Sequence, residues 1–351
     1  MKYVFSTILI LVVFVLVGCT TSSGSANGGV LKSEDGGRTF VPSNVIDEDH
    51  SLSRYNILSL AVDPSDNNIV YAGTDTKDMF VSEDGANTWT QMQTALTNIT
   101  SIAINPFNTQ TLYVGGLHEG RGIVVKSVNA GMTWERVYIE PKDGTNITSM
   151  VVSPVDGNIV YIGTSGGTIA RTMDGGETWE NLYHAKDNKP IGELLIDSGD
   201  AHTLYALVNQ VDIVKSRDNG ITFESISDME RGDDVKEKIF EGKLYSMAVS
   251  PAVSGVVVVG TDKGVFRSSD YGYTWNPVDV IASSIGIPIH AIKISPHDAN
   301  RMVYAAAKAV YTSIGDSWAI TDTASNRVVR VIVHDPLNMN IMYLGLIKTT
   351  K

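Results

Sequence analysis

The residues of this chain that look most suited to chemistry are carboxylates returning at a fixed spacing. An eight-residue phrase reads Ser33-Glu-Asp-Gly-Gly-Arg-Thr-Phe40. It recurs roughly every 45 residues, a period that marks a repeat architecture. Copies end at Trp89, Trp134, Trp179, Phe223 and Trp275, and a worn seventh ends at Trp318. Their third positions are Asp35, Asp84, Asn129, Asp174, Asp218 and Asp270. Aspartates in such numbers suggest acid–base catalysis or metal binding. Seven copies on seven units, however, cannot converge on one reacting atom. The phrase reads instead as a turn. Its carboxylate accepts hydrogen bonds from turn amides, its glycine permits positive φ, and its aromatic ring buries area between neighbouring units. All five tryptophans, Trp89, Trp134, Trp179, Trp275 and Trp318, fall in these boxes. None is left over as a platform for stacking a sugar.

The elements that must carry these turns are strands. A second phrase precedes each box: a strand-like run, a proline turn, then another strand. Examples begin at Ile57, Ile99 and Ile147, with weaker ones at Ile191, Leu244, Ile289 and Val329. Pro64, Pro106, Pro154, Pro251, Pro296 and Pro336 mark the turns, and Ser198 replaces proline in the fourth. Proline cannot donate to a sheet ladder, so it separates strands here. Each unit thus has strands A and B before the box and C and D around it. Four short strands per unit predict an all-β fold, a β-propeller of four-stranded antiparallel blades. The chain opens with a box and finishes with an A–B phrase. Residues 30–41 and 329–347 are therefore expected to form one composite blade that closes a ring of seven. The other six span 57–92, 99–137, 147–183, 191–226, 244–279 and 289–320.

Composition sets outer bounds. The chain has 351 residues, 32 of them glycine, with 43% hydrophobic and 19% charged residues. A net charge of −12 disfavours nucleic acid, whose phosphates need a concentrated basic surface. Residues 1–18 read as a targeting segment: Met1-Lys2, an apolar run from Val4 to Val17, then Leu16-Val17-Gly18-Cys19. The run is shorter than a membrane-spanning helix requires. Its end resembles the lipobox of bacterial lipoproteins, which implies lipid attachment at Cys19, the only cysteine. Residues 19–29 are small and polar and read as a flexible tether. The expected location is the extracytoplasmic side of a bacterial membrane.

The box itself resembles the Asp box, or BNR repeat, found in sialidases, sortilin-type receptors, xyloglucan-cleaving enzymes and the photosystem II assembly-factor family. The resemblance covers almost all of residues 30–347 and is specific for fold rather than for function. A sialidase-like enzyme would carry an Arg-Ile-Pro phrase near its start, which is missing. The xyloglucanase type resembles two propellers clasping a glycan, and one is present here. Glycosidic cleavage needs two carboxylates about 5–9.5 Å apart, and no pattern selects such a pair. No cofactor or metal motif stands out. The expectation is a monomeric, non-catalytic scaffold that binds another protein or complex at the membrane. The alternative is a cell-surface carbohydrate-active enzyme or glycan-binding module.

The site is expected on the face opposite the boxes, where D–A and B–C loops gather. Two loops are long, 42–54 and 228–243. They offer Asp47, Glu48, Asp49, His50 and Arg54, then Arg231, Asp233, Asp234, Lys236 and Phe240. His118, Glu119 and Arg121 belong to the same face. Aligning strand A puts Leu58, Thr100, Thr148, Gly192, Tyr245, His290 and Arg330 in one column beside the axis. Tyr245, His290 and Arg330 come from consecutive blades and are expected to meet. Glu193, one residue along, is expected to point elsewhere. Lys32, Lys126, Arg171, Lys215 and Arg267 sit near the boxes and read as structural or solvated charges, near box acids and solvent, of small energetic weight.

Overall fold

The computed structural model describes residues 28–226, 240, 242–281, 286–315 and 317–348. The targeting segment, Cys19 and the tether lie outside them, as do Arg231, Asp233, Asp234 and Lys236. The described chain forms seven four-stranded antiparallel sheets, each in A–B–C–D order. Blade one is Ile57–Val62, Val70–Thr74, Asp78–Ser82 and Thr90–Gln93. Blade four is Ile191–Ile196, Leu204–Val208, Asp212–Ser216 and Glu224–Ser225. The seventh sheet is composite: Val328–His334 and Met342–Ile347 pair with Gly29–Ser33 and Val41–Pro42. Leu31 lies opposite Leu344 in the closing ladder. Closure covers the sheet edges that an open ring would expose to association. Two single-turn 3₁₀ segments, Leu52–Arg54 and Lys186–Asn188, are the helical elements among the described residues.

Apolar side chains are shared between neighbouring blades. Val30 and Tyr343 of blade seven, for instance, pack with Ile57, Val70 and Phe80 of blade one. Strand B carries most of this burial: Val70–Thr74, Val160–Thr164 and Val257–Thr261 are buried along their whole lengths.

The boxes are hydrogen-bonded turns. In blade four, Asp218 Oδ1 accepts from the Ser216 hydroxyl at 2.8 Å and the Thr222 amide at 2.9 Å, and Oδ2 accepts from the Thr222 hydroxyl at 2.6 Å. The Thr222 bonds lead in holding the Asp218 carboxyl down at about 2. Asn129 keeps the turn without a charge, accepting from the Thr133 amide and donating to its hydroxyl, both at 2.9 Å. In blade one Ala86 adopts φ 68°, the conformation that the box glycine takes elsewhere.

Of the two readings of the basic residues before the boxes, the structural one holds where they are buried. Lys32, Arg171 and Lys215 are buried. Lys126 Nζ donates to Gly175 O at 2.8 Å, Arg171 Nη1 to Asn219 O at 2.7 Å and Lys215 Nζ to Tyr271 O at 3.3 Å. Each acceptor belongs to the box of the following blade. Strand-B tyrosines reach the same carbonyls, Tyr113 to Gly175 and Tyr161 to Asn219, both at 3.3 Å. These cations fasten one blade to the next, because a bare carbonyl in a buried seam needs a donor.

Candidate functional site at the mouth of the axial channel

Seven A strands line the axis, and each carries the same irregularity. Pairing with strand B shifts register between Ile57 and Ser59, and likewise between Ile191 and Leu194, and between Leu244 and Ser246. Such a bulge sets two residues against one and breaks strict alternation. Both Leu58 and Ser59, and both Gly192 and Glu193, therefore line the channel. The expectation that Glu193 points elsewhere is corrected by this bulge.

The second column is mostly serine, and its hydroxyls join blades. Ser59 donates to Ile99 O at 2.8 Å and Ser246 to Ile289 O at 2.6 Å, while Leu194 N donates to Ser149 Oγ at 3.0 Å. In blade four the serine is replaced by Glu193. Its Oε2 accepts from Met247 N at 2.6 Å, the amide equivalent to Leu194. Glu193 is enclosed by protein while keeping surface towards the channel. Burial raises its proton affinity, opposed by the charges of Lys293 and Arg330 and by the Met247 amide.

A channel cavity of about 250 Å³ and a depression of about 320 Å³ at its mouth share Gly192, Glu193 and Arg330. The depression adds Tyr245, Asn209 and Gln210. Asn209 and Gln210 both adopt left-handed backbone, φ 48° and 59°, a conformation that costs non-glycine residues energy unless their surroundings hold it. The surroundings do: Asn209 N donates to Pro190 O at 2.8 Å, and Leu244 N to Gln210 O at 2.9 Å. The backbone that carries these two exposed amide residues is thereby held at the rim. Tyr245 meets His290 edge to face, 5.0 Å between ring centroids. Burial and then the Arg330 charge lower the proton affinity of His290, so its ring is neutral at neutral pH. The predicted trio of Tyr245, His290 and Arg330 is thus assembled, with Glu193 beside it.

Other candidates lie apart. Asp47 and His50 form an exposed pair at 2.7 Å, Glu48 and Asp49 are exposed, and Arg54 donates to Asp49 O at 3.4 Å. Their loop is anchored by Ser43, Asn44 and Leu52, all buried, and by Trp89 Nε1 donating to Ser43 O at 2.8 Å. Glu119 sits at a hairpin tip with φ 52°, Arg121 pairs with Asp143, and His118 bonds Ala95 O at 3.0 Å. Phe240 is 7% exposed, with its ring 5.0 Å from Trp275 and 5.5 Å from Phe266. It is a core residue and offers no contact surface. Among the described residues no group of three His, Cys, Asp or Glu side chains is placed to hold a metal ion.

The mouth offers an aromatic ring, two amides, a guanidinium and one carboxyl with raised proton affinity. That set suits a polyhydroxylated ligand. Among the described residues Glu193 is the sole carboxylate lining the two cavities, and glycosidic cleavage needs a second.

No family model matches the chain. It is 24% identical over 264 residues to a xyloglucanase of Hypocrea jecorina, covering 63% of this chain and 31% of that enzyme. A second relative, xyloglucanase Xgh74A of Acetivibrio thermocellus, is 22% identical over 48% of this chain and 25% of its own length. The chain thus spans about a third or less of these curated relatives. Among solved structures, the GH74 xyloglucanase from Xanthomonas campestris superposes with a TM-score of 0.67 at 17% identity, over 83% of this chain and 51% of that one. YCF48 bound to D1 peptide gives 0.62 at 15%, over 84% and 94%. The structural likenesses establish the propeller fold. The sequence relatives correct the expectation of a non-catalytic protein-binding scaffold: both are named xyloglucanases, so the similarity points towards carbohydrate-active proteins.

Proposed function

We propose that the protein is a carbohydrate-active propeller of the xyloglucanase kind, and that it engages a xyloglucan-type glycan at the channel mouth. The observation that carries this reading is the similarity to xyloglucanases along 63% of the chain. The mouth is compatible with it: Tyr245 supplies a stacking face, Asn209 and Gln210 supply amides for sugar hydroxyls, and Glu193 and Arg330 flank the opening. Glu193 has the raised proton affinity wanted of a general acid. Cleavage also needs a second carboxylate, so recognition is the part of the task that the described residues supply by themselves.

Calorimetry with xyloglucan oligosaccharides, run beside an assay for released reducing ends, tests the reading. Saturable binding is expected, with Tyr245→Ala at least tenfold weaker. Absence of both binding and release would overturn it. Lipid attachment through Cys19 would hold the ring at the cell envelope. Cys19→Ser should then move the protein from the membrane fraction to the soluble one, and unchanged fractionation refutes the anchor.

A further inference from the structure

Positive charge is in excess at the channel. Among the described residues the charged side chains lining the channel cavity and its mouth are Glu193, Lys293 and Arg330. The two cations stand on neighbouring blades, Lys293 on Ile289–Ile294 and Arg330 on Val328–His334. Glu193 comes from Ile191–Ile196, on another part of the ring. Against the burial that raises its proton affinity, Glu193 feels both cations, Lys293 more than Arg330. Two cations against one carboxylate leave one positive charge over, and the neutral His290 ring adds none. Asp262, the carboxylate felt at Tyr245, accepts from Lys243 N at 3.0 Å and lines neither cavity.

The excess is not spent within the fold. Among the described residues neither Lys293 nor Arg330 makes a hydrogen bond or a close ion pair. Buried cations of the blade seams, by contrast, are matched. Lys32 pairs with Glu34, Arg171 with Glu180 and Lys215 with Glu224, and Arg327 donates to the carbonyls of Tyr55 and Ser53. Cations inside a cleft act through less water than cations on an open surface, so their field is concentrated on whatever enters.

We propose, resting on the carbohydrate reading, that the glycan held at the mouth carries a carboxylate, as a uronic acid does, and that this group enters the channel between Arg330 and Lys293. Arg330 is exposed at the rim, and Lys293 is half-buried within. With Ile289 aligned on Val329, Lys293 lies three strand positions deeper, about 10 Å along the axis of the strand. The planar guanidinium matches a carboxylate with two parallel bonds, and the ammonium adds a point charge from below. The ring that bears the carboxylate stays in the depression with Tyr245. A wholly neutral chain would leave both cations unmatched. On a chain of net charge −12, the remaining surface repels anions that the channel does not hold.

Matched ligands test this. One is a galactosylated xyloglucan oligosaccharide, the second is the same chain with galactose oxidised at C6 to galacturonic acid, and the third is the same chain sulfated at that position. Calorimetry at low salt should give the uronate about tenfold tighter binding than the neutral form, the worth of one charge-assisted bond. The preference should shrink as sodium chloride is raised. It should vanish in Arg330→Gln and fall in Lys293→Met, whereas Tyr245→Ala should weaken the neutral and uronate forms alike. Equal affinity for the two, or tighter binding of the neutral form, overturns the acidic ligand and leaves the carbohydrate reading standing. A preference kept in folded Arg330→Gln and Lys293→Met proteins overturns the assignment of these residues. Tighter binding of the sulfated form than of the uronate overturns the carboxylate. A wild type that binds none of the three overturns the carbohydrate reading as well. Should a variant fail to fold, the wild type still decides, because a preference indifferent to salt also overturns the proposal.

Discussion

The two faces of the ring obey different rules. On the box face, one arrangement repeats: serine or threonine, aspartate and threonine close the same set of hydrogen bonds in blade after blade. At the channel mouth equivalent positions hold Leu58, Thr100, Thr148, Gly192, Tyr245, His290 and Arg330, and the next column, serine in four blades, holds Glu193, Ala291 and Val331 in the other three. Uniformity is what seven identical mechanical tasks produce. Divergence at equivalent backbone positions is what one localised recognition task produces. The contrast predicts that box-face changes act on stability with little effect on ligand binding, and that mouth changes do the reverse.

The largest effect should come from the seam that makes the ring a ring. Deleting residues 28–42 removes both outer strands of the composite blade and bares the edge of Met342–Ile347. Aggregation or loss of a single cooperative transition in calorimetry is expected. An unchanged melting profile would show that closure contributes nothing. Next in size is Lys215→Ala. This lysine is fully buried, donates to Tyr271 O at 3.3 Å, and lies 3.1 Å from Glu224 and 3.8 Å from the centre of the Tyr273 ring. Losing a charged donor from a buried seam should cost about 2 kcal/mol, measured by denaturant unfolding, with oligosaccharide affinity unaltered.

The ring was legible in the sequence because its signals are local and repeated. Strand length, proline turns and box spacing each recur, so an error in one copy is outvoted by the rest. The composite blade followed from counting boxes against A–B phrases. The mouth was legible only in part. Tyr245, His290 and Arg330 could be aligned by strand position, whereas Glu193 was lost to a bulge that leaves no residue signature. The burial of these cations was hidden for a related reason. A lysine before a turn looks solvated until the next blade's carbonyls are in place, and that neighbour is some 50 residues away, as Lys126 and Gly175 are 49 apart.

Glu193→Gln sharpens the contrast between the faces through opposite effects on stability and binding. The amide oxygen can still accept from Met247 N, so the tie to blade five survives, while the burial penalty on the charge disappears. A carboxyl with raised proton affinity in the folded state destabilises that state as pH climbs from the ordinary carboxylate value through the raised one. The variant should lack this slope, melt at or above the wild-type temperature near neutral pH, and bind oligosaccharide more weakly. Lower stability with intact binding would place Glu193 among the structural residues.

The smallest effect tests the box face by charge alone. The boxes hold Asp35 and Asp218 at about 2: for Asp35 burial pushes upward and the hydrogen bonds from Thr39, Ser33 and Arg38 together outweigh it, and Asp218 is lowered first through Thr222. A depressed folded value means that the contribution is complete above the unfolded carboxylate range. It is lost as pH falls from about 4 towards 2. Asp218→Asn should abolish its own share of that acid slope. It should cost little at pH 7, because Asn129 already closes the same turn with an amide in blade two. Asp218→Ala removes the acceptor as well, and should cost about 1 kcal/mol more than Asp218→Asn. If the two variants unfold alike at pH 7, the box holds its turn without the side-chain bonds. The uniformity of the box face would then need another cause than hydrogen bonding.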